Sequence, residues 1–254
     1  MDIYKEKIPF FTKIIGSLLF MAMFIGSCED SILDDCTRSK GKTVTKERDL
    51  SEISDVTLFN DLKLKIEQDS FYSMEVKGGK NLLPRIKTKV FGDSLVIKDN
   101  NKCDWVRDLS HKIMIKITVK DLKKVEVDGT GSIKSIGKLD FDNFKFVNHS
   151  GHGEFSFNIK SKNATFKSTG GTGDLKLKGN ADYCAIYHSG VGFIYGKDFK
   201  VNDLNFNHDG LGEIHIKATN RLRGTIKSQG DVYYSGKPNE IDVKVTGQGK
   251  LFKE

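Results

Sequence analysis

A Gly-x-Gly pair returns about every twenty residues through the second half of this chain. Complete copies stand at Gly129/Gly131, Gly151/Gly153, Gly171/Gly173, Gly190/Gly192, Gly210/Gly212 and Gly247/Gly249, with a degenerate copy at Gln229-Gly230. An apolar residue follows each second glycine by two positions: Ile133, Phe155, Leu175, Ile194, Ile214, Val232 and Leu251. A fixed period of this size indicates stacked coils that bury their apolar faces against each other. It favours an elongated repeat fold over a compact enzyme fold.

Apolar and polar residues alternate between about residues 50 and 120, as in half-buried β-strands. Gly78-Gly79 and Gly92-Asp93-Ser94 predict turns, and no ten-residue stretch after residue 27 has helical periodicity. We therefore expect an all-β fold, a parallel β-helix or β-solenoid with coils of about twenty residues, in a single domain over residues 51–254. The alternating sets are Leu62/Leu64/Ile66, Tyr72/Met74/Val76, Leu95/Ile97 and Ile113/Ile115/Ile117/Val119.

The N-terminal segment has the composition of a bacterial export signal. Three lysines precede an apolar stretch over residues 14–25, which is shorter than the roughly 20 residues that a membrane-spanning helix needs. Ile25-Gly26-Ser27-Cys28 resembles the lipobox of bacterial lipoproteins, where cleavage just before the cysteine exposes it for lipidation. The sequence therefore predicts a lipoprotein signal peptide over residues 1–27 and membrane attachment through a lipidated Cys28. The alternative is an ordinary secretory signal followed by a cysteine by chance.

Residues 28–50 are predicted to form a flexible tether. The part from Glu29 to Asp35 is acidic, and residues 37–48 are polar and basic with little to bury. Acidic residues after a lipidated cysteine resemble a signal for outer-face display in some Gram-negative lineages, and a solvated spacer is the alternative. We expect an outer membrane lipoprotein of the cell envelope, on its periplasmic or surface-exposed side.

Charge and cysteine usage exclude several function classes. The net charge of +7 is spread along the predicted strands, and the lysines of the 112–117 segment are interpreted as a solvated strand face that discourages edge pairing. No basic stripe within a nucleic-acid-binding module occurs, so no nucleic acid partner is expected. The four cysteines have unrelated spacings and form no disulfide framework, and Cys184 is expected to be a small buried residue. Nucleophilic triads, phosphate loops and metal-thiolate motifs are missing, so we predict no cofactor, no metal and no catalytic residues.

The order of several short motifs resembles one family. The motifs are Phe59-x-x-Leu62-x-Leu64, Val76-x-Gly78-x-x-Asn81-Leu82-Leu83, Ser94-Leu95-x-Ile97, Ile115-x-Ile117, the serial Gly-x-Gly coils and Val232-Tyr233-Tyr234-x-Gly236-x-Pro238. Together they resemble the putative auto-transporter adhesin, head GIN domain family over about residues 52–254. The resemblance implies a parallel β-helix fold in an envelope protein, with no established activity. The copy at Gln229-Gly230 departs from the pattern because it lacks the first glycine.

One predicted column of outward side chains carries aromatic residues. Counting from the glycines gives one outward column: Lys134, Ser156, Lys176, Tyr195, His215, Tyr233 and Phe252. Tyr195, His215 and Tyr233 lie on consecutive coils, with Phe193, Glu213 and Asp231 beside them. Aromatic rings flanked by carboxylates on a rigid face suit sugar binding, so these six residues are the candidate ligand-binding site. The alternative is a cross-strand stack that only stabilises the sheet.

Two further columns are predicted from the same count. An acidic column places Glu154 over Asp174 and Glu213 over Asp231, where a cation such as Ca²⁺ would relieve the repulsion but solvent also suffices. A histidine column contains His149, Thr169, His188 and His208. It is interpreted as a turn-stabilising stack rather than a metal site, because no third ligand can be named.

The function that the sequence favours is an envelope-anchored binding, adhesion or scaffold module whose partner is a glycan or an envelope protein. Two alternatives remain. A polysaccharide-cleaving β-helix enzyme, resembling a lyase, would need an Arg or Lys base over an acid cluster, and Lys176 beside Asp174 is the nearest approach to that. A purely structural surface spacer would leave the aromatic column covered by the first half of the chain.

Overall fold

A computed structural model describes residues 39–102 and 113–254 of the chain. The predicted signal peptide and Cys28 lie outside the described residues. In the described part the fold is all-β, without α-helices, and no helix there is long and apolar enough to cross a membrane. The strands are β1 Thr43–Arg48, β2 Asp55–Phe59, β3 Lys63–Gln68, β4 Ser73–Gly79, β5 Ile86–Phe91, β6 Ser94–Asp99, β7 Met114–Val119, β8 Lys124–Asp128, β9 Ser132–Ile136, β10 Leu139–Asp140, β11 Asn143–Asn148, β12 Phe155–Ser168, β13 Leu175–His188, β14 Ile194–His208, β15 Ile214–Ile226, β16 Val232–Ser235, β17 Glu240–Val245 and β18 Leu251–Lys253.

The strands form a β-solenoid of stacked parallel coils, as predicted. Each coil places one segment in each of two sheets, and the long strands β12 to β15 run through both. The front sheet has the order β7, β3, β9, β12, β13, β14, β15, β16, β18, and from β9 onward each of its segments follows a glycine turn. The back sheet is defined by the segments before those turns, in the order β6, β2, β8, β11, then the second halves of β12 to β15, then β17.

The two sheets face each other across a closed apolar core. The ring of Phe146, on the back sheet, lies 5.0 Å from the rings of both Phe155 and Phe157 on the front sheet. The apolar residues after the glycine turns point inward as predicted, and Ile214 is fully buried. Cys184 is also buried, beside Leu204 of the next coil, and burial raises the pKa of its thiol. The alternation of apolar and polar residues therefore predicted the correct inward face.

The order of coils along the axis differs from the order along the chain. Strand β3 pairs with β7 on one side and β9 on the other, and β2 likewise lies between β6 and β8. The chain first forms the coil that contains β2 and β3. It then forms the coil of β6 and β7 on one side of that first coil, and afterwards the coil of β8 and β9 on the other side. Residues that are far apart in sequence become neighbours on adjacent strands.

Antiparallel strands close the N-terminal end of the solenoid. Strand β4 pairs with β7 and β1 pairs with β4, while β5 forms a hairpin with β6. The predicted tether over residues 28–50 is therefore wrong in its last part, because residues 43–48 form β1. The guanidinium of Arg48 donates hydrogen bonds to the Ile86 and Leu83 carbonyl oxygens at 2.7 and 2.9 Å. Gly78-Gly79 ends strand β4 rather than forming a turn, whereas the turn at Gly92-Asp93-Ser94 is confirmed.

Close contact between coils explains the second glycine of each pair. A Cβ atom built on Gly153 or Gly212 would lie 2.0 Å from a carbonyl oxygen of the preceding coil, and one on Gly192 would lie 2.2 Å from one. No side chain fits in such a gap. Gly230 keeps this contact, since its Cβ would lie 2.6 Å from the Gly212 oxygen. The degenerate copy therefore preserves the glycine that the stacking requires.

Candidate functional site

The outward aromatic residues of the front sheet form a continuous stack, which we call the aromatic strip. It consists of Phe193, Tyr195, His215, Tyr233 and Phe252. Consecutive ring centroids are 5.9, 6.1, 4.7 and 5.1 Å apart, with interplanar angles of 11, 13, 8 and 21°. Strand register brings the last four together, because each lies opposite the next on adjacent strands. The predicted outward placement of the aromatic column is therefore confirmed, with Phe252 as its last member.

The parallel stacking determines which parts of the rings can meet a ligand. Rings in the middle of the strip stack face to face, so a ligand can meet their edges but not their faces. Phe193 and Phe252 each stack on only one ring of the strip, which leaves one face of each without a ring over it. Tyr195 is 41% exposed and Phe252 is 38% exposed. The strip is thus an accessible surface that the first half of the chain does not cover.

Charged side chains hold the middle of the strip in place. His215 Nε2 lies 3.3 Å from Glu213 Oε2, and its Nδ1 lies 3.2 Å from Glu254 Oε1. Lys197 Nζ lies 2.9 Å from the same Glu254 oxygen. Partial burial alone would raise the pKa of Glu254, but the contacts with Lys197 and His215 outweigh it and the pKa lies below its usual range. Desolvation and the neighbouring carboxylates, Glu213 among them, raise the pKa of the Tyr233 hydroxyl.

The acidic column has the predicted register, and its carboxylates have partners within the protein. Asp174 Oδ1 accepts a hydrogen bond from the Phe193 backbone N–H at 2.8 Å. Asp231 Oδ1 accepts one from the Lys250 backbone N–H at 2.7 Å. Glu154 lies 2.7 Å from Lys176 Nζ, and this hydrogen bond lowers the pKa of the glutamate. Within residues 39–102 and 113–254, three or more His, Cys, Asp or Glu side chains do not come together as a metal-binding group.

The predicted histidine column is correct for the neighbours His188 and His208 but one residue out of register for His149 and Thr169. Strand pairing places Asn148, Ser168, His188 and His208 in one buried column, whereas His149 and Thr169 are exposed. The two earlier turns contain one residue more before their first glycine, so counting back two positions from the glycine misses the buried residue. The structure therefore shows an internal polar column of an amide, a hydroxyl and two imidazoles.

His188 and His208 form a stacked pair inside the core. Their Nδ1 atoms are 3.1 Å apart and their ring centroids 5.1 Å apart, with an interplanar angle of 22°. This contact requires one ring to donate and the other to accept, so at least the accepting ring is neutral. Desolvation, and then the charge of His208, lower the pKa of His188 to about 4, and desolvation also lowers that of His208. Within the described residues, His208 Nε2 is buried without a hydrogen-bond partner.

The outward column that contains the aromatic strip also continues towards the N-terminal end of the front sheet, beyond the residues that counting from the glycines predicts. Lys65 lies opposite Lys116 on one side and Lys134 on the other, and the same column continues through Ser156 and Lys176 to Tyr195. Counting from the glycines placed only Lys134 and Lys176 of these lysines in the column. Lys65 and Lys116 join it through the interleaving of β3 between β7 and β9, which no glycine turn marks.

A second surface that the sequence did not reveal is a groove of about 520 Å³ on the back sheet. Its lining includes Tyr187, Asn205, Asn207 and Arg223. Tyr187 is 45% exposed, and its neighbours on the adjoining strands are Lys167 and Asn207. Its ring faces are therefore not covered by other rings, unlike those of the aromatic strip. The outward residues of this column change type from coil to coil, so no repeated signal marks it.

Comparison with known proteins gives a consistent family assignment. The model of the family described as "Putative auto-transporter adhesin, head GIN domain" matches residues 53–238, which is most of the chain. No curated protein matches the sequence.

Solved structures share the fold. One, a "putative adhesin" from Bacteroides fragilis, is 22% identical, with a TM-score of 0.77 over 84% of this chain and 97% of that one. Another, a "putative lipid binding protein" from Parabacteroides distasonis, is 22% identical, with a TM-score of 0.68 over 85% and 98%. A "putative adhesin" from Parabacteroides merdae is 21% identical, with a TM-score of 0.60 over the same shares. The chain therefore belongs to the putative auto-transporter adhesin, head GIN domain family.

Proposed function

We propose that this protein is an envelope-anchored binding and adhesion module, and that the aromatic strip is its binding face for glycans. The observation that carries this proposal is the exposure of a five-ring stack on a rigid sheet, where Phe193 and Tyr195 are 36% and 41% exposed. Large apolar side chains on a protein surface mark binding sites more often when they are contiguous than when they are scattered. The names of the structural neighbours, adhesins and a lipid-binding protein, are compatible with a binding role.

The strip offers both kinds of contact that a sugar needs. The uncovered ring faces of Phe193 and Phe252, at the ends of the stack, suit the C–H side of a sugar ring. The hydroxyls of Tyr195 and Tyr233 and the carboxylate of Glu213 suit its hydroxyl groups. Because the strip lies on paired strands, these groups are held in position before the ligand arrives, which limits the entropy lost on binding.

The geometry gives less support to a lyase. Lys176, the base that such an enzyme would use, donates to Glu154, and this hydrogen bond raises the pKa of the ammonium group. A lysine held in its protonated form cannot abstract a proton. The purely structural spacer is also less favoured, because the strip is exposed rather than covered. These two observations favour a binding module over the alternatives.

Replacing Tyr195 and Tyr233 together by alanine is expected to abolish retention on a glycan array. The stability cost should be only about 1–2 kcal/mol, because shortening outward side chains leaves no cavity in the core. Retention and the melting temperature are measured on the same protein. The matched control is Tyr183→Ala with Tyr187→Ala, which removes two tyrosines of similar exposure from the back sheet.

Retention that survives in the Tyr195/Tyr233 variant would contradict the assignment of the strip. Loss of retention in the control alone would move the binding face to the back-sheet groove. A large loss of stability in the Tyr195/Tyr233 variant, with no glycan bound by the wild type, would show that the strip is structural.

The anchoring part of the proposal rests on the Ile25-Gly26-Ser27-Cys28 sequence. Cys28→Ala is expected to prevent lipidation and to release the protein from the membrane fraction, because without a lipidated cysteine nothing would hold the predicted tether to the bilayer. Labelling with a fatty-acid probe and fractionation measure both effects, and Cys36→Ala serves as the control. Incorporation of the label into the Cys28→Ala protein would contradict the lipoprotein assignment.

A further inference from the structure

Three lysines occupy consecutive strands near the N-terminal end of the front sheet, and we call them the lysine row. They are Lys116 on β7, Lys65 on β3 and Lys134 on β9, each directly opposite the next. Lys63 and Lys77 flank the row two residues away, on β3 and β4. Like charges placed directly opposite each other on adjacent strands destabilise a sheet. Repulsion between these lysines therefore destabilises this part of the folded sheet.

Neither edge protection nor ion pairing accounts for the whole row. Lysine protects edge strands against pairing, but β7, β3 and β9 each have a partner on both sides. Lys116 forms an ion pair with Glu67 at 2.7 Å, and that hydrogen bond raises the pKa of the lysine. In the part of the chain that the structure describes, Lys65 and Lys134 form no ion pair.

The acids near the row do not neutralise it. Glu67 and Glu75 both lie beside Lys116, so both offset the positive charge of the same lysine. Glu154 is paired with Lys176 and also interacts electrostatically with Lys134. The row, its flanks and Lys176 together contain six lysines against these three glutamates, which leaves a surplus of positive charge on this part of the front sheet. An anionic ligand would remove the repulsion that the protein itself leaves in place.

The lysine row and the aromatic strip belong to the same outward column. Between them lie only Ser156 and Lys176, on two intervening coils. The column crosses nine parallel segments from Lys116 to Phe252. With strands about 4.8 Å apart it is roughly 38 Å long. The column is basic at one end and aromatic at the other.

We propose that the ligand of this column is an acidic polysaccharide whose chain runs along the solenoid axis. Its carboxylates lie against the lysine row, and its sugar rings and hydroxyls lie against the aromatic strip. This inference rests on the proposed function of the strip and adds the charge class of the glycan and its direction. A polymer fits better than a small sugar, because the two halves of the column are separated by two coils.

The charges beside the strip distinguish this ligand from other polyanions. Glu213, Asp231 and Glu254 flank the aromatic half of the column. The phosphates of single-stranded DNA would be repelled there, and the DNA chain has no free sugar hydroxyl that could donate hydrogen bonds to these carboxylates. A polysaccharide presents hydroxyl groups between its carboxylates, and these groups can donate hydrogen bonds to the same three side chains.

The test compares polygalacturonate, an acidic polymer, with dextran, a neutral one, on the full-length protein. Lys65→Gln with Lys134→Gln is expected to weaken polygalacturonate binding at least tenfold at about 0.1 M salt, which is about 1.4 kcal/mol. Wild-type binding should also weaken as salt increases. The control is Lys87→Gln with Lys89→Gln, which removes the same charge from exposed positions of β5. The melting temperature of each variant is measured alongside.

The outcomes separate this inference from the proposed function. Salt-dependent binding of polygalacturonate that is lost in the Lys65/Lys134 variant and kept in the control supports it. Equal affinity of both lysine variants, or binding that does not respond to salt, overturns it. If dextran binds, is lost in the Tyr195/Tyr233 variant and polygalacturonate does not bind, the proposed function stands and the acidic ligand is wrong. Equal binding to anionic vesicles or to single-stranded DNA also overturns it.

Discussion

Replacing Gly212 by alanine is expected to lower the free energy of unfolding by about 3 kcal/mol or more. The added Cβ would lie 2.0 Å from the Gly192 oxygen and 2.5 Å from the Val191 oxygen. Both atoms belong to the backbone of the preceding coil, so they cannot rotate away as a flexible side chain would. Relief requires the two coils to separate, which would strain the hydrogen bonds between β14 and β15. Chemical denaturation with urea measures the loss.

Gly137→Ala is the matched control for this change. Nothing lies within 4 Å of a Cβ built on Gly137, and its φ of +68° costs an alanine about 1–2 kcal/mol. The control thus measures the backbone strain of an alanine in the left-handed region, which Gly212 does not adopt, without a clash between coils. If Gly212→Ala destabilises the protein no more than Gly137→Ala, close stacking of the coils is not what the repeated glycine provides.

The stability of the protein is expected to fall as the pH decreases from about 6.5 towards 4, because of the buried His188/His208 pair. In the unfolded chain a histidine binds a proton near pH 6.5, whereas the folded pKa of His188 is about 4. Between these values the unfolded state binds more protons, so acidification favours unfolding. The full shift corresponds to about 3 kcal/mol. His208 contributes in the same direction, although Asp209 and Asp231 oppose the lowering of its pKa.

Replacing both histidines by asparagine tests this prediction, since Asn148 occupies the same column two coils earlier. The variant should show a shallower loss of stability between pH 6.5 and 4 than the wild type. The difference between the two proteins separates the histidines from carboxylates that titrate in the same range. The exposed His152 provides a control, because His152→Asn should leave the slope unchanged. Equal slopes for the wild type and the double variant would contradict the prediction.

The candidate site shows how far counting from the glycines can go. It placed Tyr195, His215 and Tyr233 in one outward column, because a strand presents alternate residues to opposite faces and the coil length repeats. It failed for His149 and Thr169, since a turn can gain one residue without disturbing the strands on either side. Counting is reliable after the second glycine, where the contact between coils fixes the position of the backbone. Before the first glycine the number of turn residues varies between coils, so only the pairing of the strands gives the register.

The sequence by itself determined the solenoid, its inward face and the aromatic column. These features follow from local properties: the period of the glycines, the alternation of strands and the space between adjacent coils. The tertiary structure alone decided the insertion of β3 between β7 and β9, the capping of the N-terminal end by β1, and with them the lysine row. The reason is physical, because strands pair through backbone hydrogen bonds that are the same for every residue. A sequence therefore shows which segments are strands more clearly than it shows which strands become neighbours.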